Sequence, residues 1–259
     1  MKRLPFIAGA ASAIAAAVPA AADPAPVVVF AAASLREAFE SAAPDFTKKT
    51  GFAVRFAFGG SDTLVTQLAQ GAPADVFASA NEAQMKVAAD AGLLAAAPRT
   101  LARNHLVAIV PQLNPARIAE LADLAKPGVR VVLAEARVPV GTYARAAFRG
   151  LNGAPGYPAD FAGMVERNVV SNELDVKAVA TKISLGEGDA GVVYATDVTA
   201  TIRERVKTIA FPSGAALVAV YPVAPLKHAQ AGAGARAFVA FMLSPAGQAF
   251  LKARGFAGP

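Results

Sequence analysis

The chain has 259 residues, enough for one large domain or two lobes with cores of their own, and it contains no cysteine. The missing thiol excludes disulfides, thiolate metal sites, a thiol nucleophile and lipidation at an N-terminal cysteine. A formal charge of +6 is spread thinly, with Lys48-Lys49 the one adjacent basic pair beyond the first residues, which argues against a nucleic-acid patch but leaves a mild field able to steer a small anion.

Met1-Lys2-Arg3 precedes an uncharged, alanine-rich stretch from Leu4 to Ala22 that ends Ala20-Ala21-Ala22-Asp23. A charged start, an apolar run and a small-x-small exit describe a secretory signal peptide over residues 1–22, cleaved after Ala22. The alternative is a retained membrane anchor, since the run spans a bilayer when tilted; Pro5 and Pro19 favour cleavage. Removal of Lys2 and Arg3 lowers the charge of +6 to +4. An exported chain with neither lipid nor disulfide suits the periplasm of a Gram-negative cell.

Beyond the leader the order is strand, helix, strand, helix, strand, helix. Val27-Val28-Val29 leads through Ala31-Ala32-Ala33 to Ser34, and apolar positions at Leu35, Ala38, Phe39, Ala42 and Ala43 mark one face of a helix that Ser34 is placed to cap. The strand Ala53–Phe58 runs through Gly59-Gly60 into Ser61, with Leu64, Val65, Leu68 and Ala69 behind it. Asp75–Ala80 is the third strand, entered through Gly71-Ala72-Pro73-Ala74. A looser stretch with Pro98, Arg99 and Arg103 precedes a short strand, Leu106–Val110.

After Lys126-Pro127-Gly128 the pattern begins again: strand Val129–Ala134, a loop from Glu135 to Gly141, and a helix marked by Ala144, Ala147, Phe148 and Leu151. Arg167–Ser171 is a strand, Asp175 caps a helix with Val176, Val179, Ala180 and Ile183 on its face, and Ala190–Tyr194 closes the unit. A strand at Ala216–Val220 and two helices, the last capped by Ser244 with Pro245 in its first turn, finish the chain and are expected to return to the first lobe.

Two successive βαβαβ units specify two mostly parallel sheets flanked by helices, and ligands of such sheets bind beyond the carboxyl ends of the strands. Ser34, Ser61, the 138–142 loop, Val176 and Tyr194 all fall at that end. Helix starts there leave unpaired N–H groups and partial positive charge, the ingredients of an anion site. From the residues alone, Ser34 and Ser61 are equally ordinary N-caps of about 1 kcal/mol each, and Tyr194 a core ring with a wet hydroxyl. Asp75 reads as a turn or capping residue and Asp62 as a solvated helix start. His105 and His228 show no metal-ligand spacing, and the tyrosines are not expected to cluster.

These motifs carry a family resemblance: Phe30-Ala-Ala-Ala-Ser34-Leu35, Ser61-Asp62-Thr63-Leu64, Gly71-Ala-Pro-Ala-Asp75-Val76-Phe77, Val138-Pro139-Val140-Gly141-Thr142-Tyr143, Asp189-Ala-Gly-Val-Val-Tyr194 and Ser244-Pro245. The chain resembles the molybdate-binding proteins of bacterial ABC uptake systems, a branch of the periplasmic solute-binding proteins. The resemblance implies a two-lobed type II α/β fold with the ligand in the cleft, residues 23–103 plus 225–259 forming one lobe and 104–224 the other. It implies an oxyanion, molybdate or tungstate, held by the hydroxyls of Ser34, Ser61 and Tyr194 and by backbone N–H groups of Ser34, Ser61, Val140 and Val176. The metal of the ion is reached only through its oxygens. No cofactor, no enzymatic activity and no nucleic acid are expected; the partners are the oxyanion and the permease of an ABC transporter, and the chain is expected to act as a monomer. Val140 stands where the family often has alanine, and Thr142 where apolar residues are common.

Two rivals remain. A receptor for sulfate, thiosulfate or a small organic acid calls for a counter-charge such as Arg137 or Lys177 in the cleft. A serine enzyme calls for His105 as base to Ser34 or Ser61.

Overall fold

The computed structural model describes residues 24–215 and 217–259, so the expected signal peptide at 1–22 lies outside the described residues. Among the described residues no helix is long and apolar enough to cross a membrane.

The first lobe alternates β1 (Val27–Ala32), α1 (Arg36–Thr50), β2 (Val54–Gly59), α2 (Ser61–Ala69), β3 (Val76–Ala78) and α3 (Glu82–Asp90). β1 lies between β2 and β3 and is parallel to both, with Val29 opposite Phe56 and Val76. Helical crossovers between parallel strands give this arrangement its direction, and the buried Val27, Val29 and Ala31 carry it into the core. The chain then enters β4 (Arg99–Pro111), which is longer than the strand expected at Leu106–Val110. The supposedly loose Arg99–His105 is strand because its partner, β9 (Val218–Pro225), lies far off in sequence.

The second lobe is built from β5 (Val131–Ala134), α4 (Pro139–Gly150), α5 (Phe161–Arg167), β6 (Val169–Glu173), α6 (Val176–Ser184), β7 (Ala190–Tyr194), α7 (Ala200–Arg203) and β8 (Val206–Ala210). β5 is parallel to β6 and β7, while β4 is antiparallel to β7 and β8. Arg167 ends a helix rather than opening a strand, and the expected loop at Glu135–Gly141 is cut short because Pro139, with its φ already fixed, starts α4.

β4 and β9 serve both lobes. The first half of β4 pairs with β9, its second half with β7, and β9 also pairs with β3. The expected lobe boundaries at 103/104 and 224/225 therefore fall inside continuous strands. The closing helices α8 (Gly232–Leu243) and α9 (Pro245–Ala253) return to the first lobe, where Phe238 packs edge-on to Phe39 and Phe46 at ring separations of 5.4 and 5.3 Å. Ser244 caps α9 through the Gly247 N–H. Asp75 is a buried tie: its carboxylate accepts from Val28 N (2.7 Å) and Ala231 N (3.0 Å), fastening β1 to the start of this tail.

Ion pairs join the lobes across the cleft. Arg137 Nε lies 3.0 Å from Asp62 Oδ2, so Asp62 is a buried partner of the opposite lobe and not a solvated helix start. Gln84 Nε2 donates to the Arg137 carbonyl at 3.1 Å. Lys177, on α6, reaches Glu37 Oε1 on α1 at 2.8 Å and Asp197 Oδ1 at 3.1 Å. Burial opposes the charge on Lys177, but Asp197 and Glu37 outweigh it and leave the ammonium pKa raised. Asp197 is fully buried, its oxygens otherwise without partners, and desolvation lifts its carboxyl to about 6 despite Lys177.

A carboxyl whose pKa rises on folding stabilises the native state at low pH and loses that contribution as pH climbs through the native value. Wild-type stability relative to Asp197→Asn is therefore expected to fall as pH rises from about 4 to about 6, and to be flat above that. Chemical denaturation of both proteins across this range measures the difference directly.

Candidate functional site

Three helices and one tight turn begin around a single point between the lobes. Ser34 sits in a one-turn 3-10 segment, Ala33–Leu35, between β1 and α1. Ser61 is the first residue of α2, Val176 the first of α6, and Val140 the second of α4. Tyr194 ends β7. All five line one narrow cavity, shared with small residues such as Ala32, Ala80 and Gly60. Its inner space is far below that of a cleft for a drug-sized ligand and suits a small ion.

The serines are not helix caps. No side-chain capping bond is made at the start of α1 or α2. The Ser61 hydroxyl accepts from Ala80 N–H at 3.0 Å, and the Ser34 hydroxyl is hydrogen-bonded to Tyr221 Oη at 3.0 Å. Ser61 Oγ thus has its acceptor capacity partly used by the protein and its proton left over. Tyr194 is almost wholly buried, and its hydroxyl has no hydrogen-bond partner. A buried phenol with no partner is uncommon and costs roughly 1–3 kcal/mol, which marks it as waiting for an acceptor. Burial, with Tyr221, Tyr143 and Asp197 adding to it, holds the Tyr194 pKa well above that of a free phenol, so the group stays a neutral donor.

The backbone contributes in the same sense. Pro139 has no N–H, so Val140 presents the first donor of α4, and Val176 the first of α6; helix starts leave these groups without intrahelical partners. Asp175, the one carboxylate residue on the wall, turns Oδ1 to Ala178 N at 3.0 Å as an N-cap. No lysine or arginine lines the cavity. Arg137 and Lys177, the candidate counter-charges, stand at its edge already paired with Asp62, Glu135, Glu37 and Asp197. The arrangement can solvate an acceptor-only anion with neutral donors and helix ends.

Three further residues form a layer behind Ser34 that local pattern does not reveal. Tyr221 of β9 meets Tyr194 edge-on at a ring separation of 5.6 Å, so the tyrosines do cluster, contrary to expectation. Both strands pair with β4, Ala102 opposite Tyr221 and Leu106 opposite Tyr194, which brings distant residues together. Asn104 of β4 donates through Nδ2 to Thr196 Oγ1 (2.8 Å) and Tyr221 Oη (3.4 Å). His105 is adjacent in sequence, but its side chain is on the exposed face of β4.

The sequence matches the family described as bacterial extracellular solute-binding protein over residues 27–257. The molybdate-binding protein ModA of Mycobacterium tuberculosis is 43% identical over 234 residues, spanning 90% of this chain and 85% of that protein. The molybdate-binding protein ModA of Escherichia coli is 32% identical over 263 residues, spanning 98% of each. Among solved structures, the periplasmic molybdate-binding protein of Azotobacter vinelandii superposes with a TM-score of 0.76 at 23% identity, over 90% of this chain and 99% of that one, which shows a common fold. The chain belongs to the bacterial extracellular solute-binding protein family and has the two-lobed type II fold of periplasmic binding proteins.

Proposed function

We propose that the protein captures molybdate, or its congener tungstate, in the cleft between its lobes and hands it to the membrane permease of an ABC importer. The observation that carries this reading is the buried, unpartnered Tyr194 hydroxyl set among three helix starts and two serines, with no cation on the wall. The identity to proteins named for molybdate binding supports the choice of ion.

Molybdate is a tetrahedral dianion with no proton at neutral pH, so every contact it seeks is a donor. Each hydrogen bond to an ionised acceptor contributes roughly 1.5–3 kcal/mol net, and several together reach micromolar affinity or better after ordering costs. Phosphate keeps a proton near neutral pH and needs an acceptor for it; leaving that O–H unmet costs about 1–3 kcal/mol. Sulfate is excluded only by its shorter bonds, so it binds weakly. A counter-charged site for an organic acid is disfavoured because Arg137 and Lys177 are engaged elsewhere.

The reading is of a binding protein and not an enzyme. The exposed side of β4 holds His105, away from Ser34 and Ser61, whose hydroxyls are engaged by Tyr221 and Ala80 N–H. The periplasm is the compartment this role requires, consistent with the leader-like first residues. Capture proceeds by hinge closure about β4 and β9, and the closed form is what the permease meets.

Calorimetric titration of ligand-free protein with molybdate, tungstate, sulfate and phosphate is expected to give tight binding of the first two and much weaker binding of sulfate and phosphate. Absence of heat or thermal shift with millimolar-range molybdate and tungstate overturns the reading. Tyr194→Phe is expected to weaken molybdate binding about tenfold while leaving the ligand-free protein as stable or slightly more so, because it removes an unmet buried hydroxyl; equal affinity in the variant would show the phenol to be a bystander. Gly60→Ala is expected to weaken binding and abolish ligand-induced compaction in small-angle scattering, since a Cβ there would overlap the Leu174 carbonyl oxygen of the facing lobe. Unchanged compaction would mean that this approach does not limit closure.

A further inference from the structure

The hydroxyl of Ser34 has no fixed direction of its own: a serine can donate to an anion or turn its lone pairs towards it. The residues behind it remove the choice. Asn104 Oδ1 accepts from His105 N–H at 2.9 Å, and a backbone N–H can only donate, so the orientation of the buried amide is determined. Its NH₂ group therefore faces Thr196 Oγ1 at 2.8 Å and Tyr221 Oη at 3.4 Å. An amide NH₂ can only donate as well, so Tyr221 accepts from Asn104. Distance alone lets either oxygen donate in the 3.0 Å bond to Ser34 Oγ, but Tyr194 Oη is not within hydrogen-bond reach, so the buried phenol is satisfied only if its proton goes to Ser34. Ser34 then accepts from the protein and has its proton left for the cavity it lines.

We infer that Tyr221 and Asn104 are positioning residues that lock Ser34 as a donor, and that through Ser34 they set selectivity for fully deprotonated oxyanions over protonated ones. Neither lines the cavity. Both lie on the two strands shared by the lobes, Asn104 on β4 and Tyr221 on β9, and Thr196 follows β7 in the second lobe. The polarity of the binding serine is thus imposed from the hinge, through a chain of four side chains of which Ser34, Tyr221 and Asn104 are buried. Ser61 has the same polarity by a different route, since its acceptor side is taken by Ala80 N–H.

This inference rests on the reading of the cavity as an oxyanion site, and a double-mutant cycle separates the two. Molybdate and phosphate affinities are measured by calorimetry for wild type, Tyr221→Phe, Ser34→Ala and the double variant, with ligand-free melting as the check on folding. Tyr221→Phe is expected to lose about tenfold in molybdate affinity and to lose less, or gain, towards phosphate, because Ser34 is then free to accept a proton from the ligand. In the Ser34→Ala background the same change is expected to have no further effect on molybdate. Losses that multiply in the double variant, or an unchanged preference between the two ions in Tyr221→Phe, overturn the chain. Wild-type protein that ignores molybdate overturns the ligand assignment and this inference with it, whereas binding by wild type with independent losses overturns this inference alone. Should Tyr221→Phe melt far below wild type, Asn104→Ala enters the same cycle, with the same non-additivity expected in smaller measure.

Discussion

Everything in the cleft depends on the antiparallel pairing of β4 with β9. β4 runs from its pairing with β9, itself paired with β3 of the first lobe, into the second-lobe sheet where it meets β7 and β8, so the lobes share a hydrogen-bonded ribbon rather than flexible linkers. This restricts their relative motion to bending of a two-stranded ribbon, one of the hinge modes by which two-lobed proteins close. It also sets the height at which the helix starts of the two lobes face one another. α2 and the turn before α1 begin beyond β1 and β2, while α4 and α6 begin beyond β5 and β6. Because all of these strands are parallel within their lobes, their carboxyl ends look into the same gap.

The gap is kept free of net cation by spending charges at its rim. Arg137 and Lys177 are both pulled towards carboxylates, one of each set on the opposite lobe. Exposed pairs contribute little energy, yet Arg137–Asp62 and Lys177–Glu37 bridge the lobes, the first burying Asp62, while Lys177 also holds the buried Asp197 of its own lobe. What remains inside is a set of neutral donors and helix ends. A site so built has no fixed charge to attract every anion equally; it distinguishes ions by how many acceptors they present and where.

The sequence was most readable where local rules decide structure. A capping-type residue at the end of a strand, followed by helical spacing, located the strand–helix junctions at Ser34, at Ser61 and, through Asp175, at Val176, and Ser244-Pro245 marked α9. Local rules failed where the partner was remote. Arg99 to His105 looked irregular because its strand character comes from β9, more than a hundred residues away. Asp62 looked solvated because its partner Arg137 is in the other lobe. Ser34 looked like a cap because nothing near it in sequence announces Tyr221. The five cavity residues were found through motif and position, whereas the layer behind them exists only through strand register, which no single segment encodes.

That layer changes what the two serines mean. Ser61 owes its orientation to a backbone N–H, which no side-chain substitution at Ala80 other than proline removes. Ser34 owes its orientation to Tyr221 and Asn104, two side chains that can be exchanged one at a time. The first serine is therefore a fixed donor of the scaffold and the second an adjustable one. A binding protein of this fold can shift its preference between protonated and deprotonated oxyanions without altering any residue that touches the ion, provided the side chains on β4 and β9 change. Selectivity in such a site resides as much in which way protons point as in which groups are present, and here that direction is decided at the hinge.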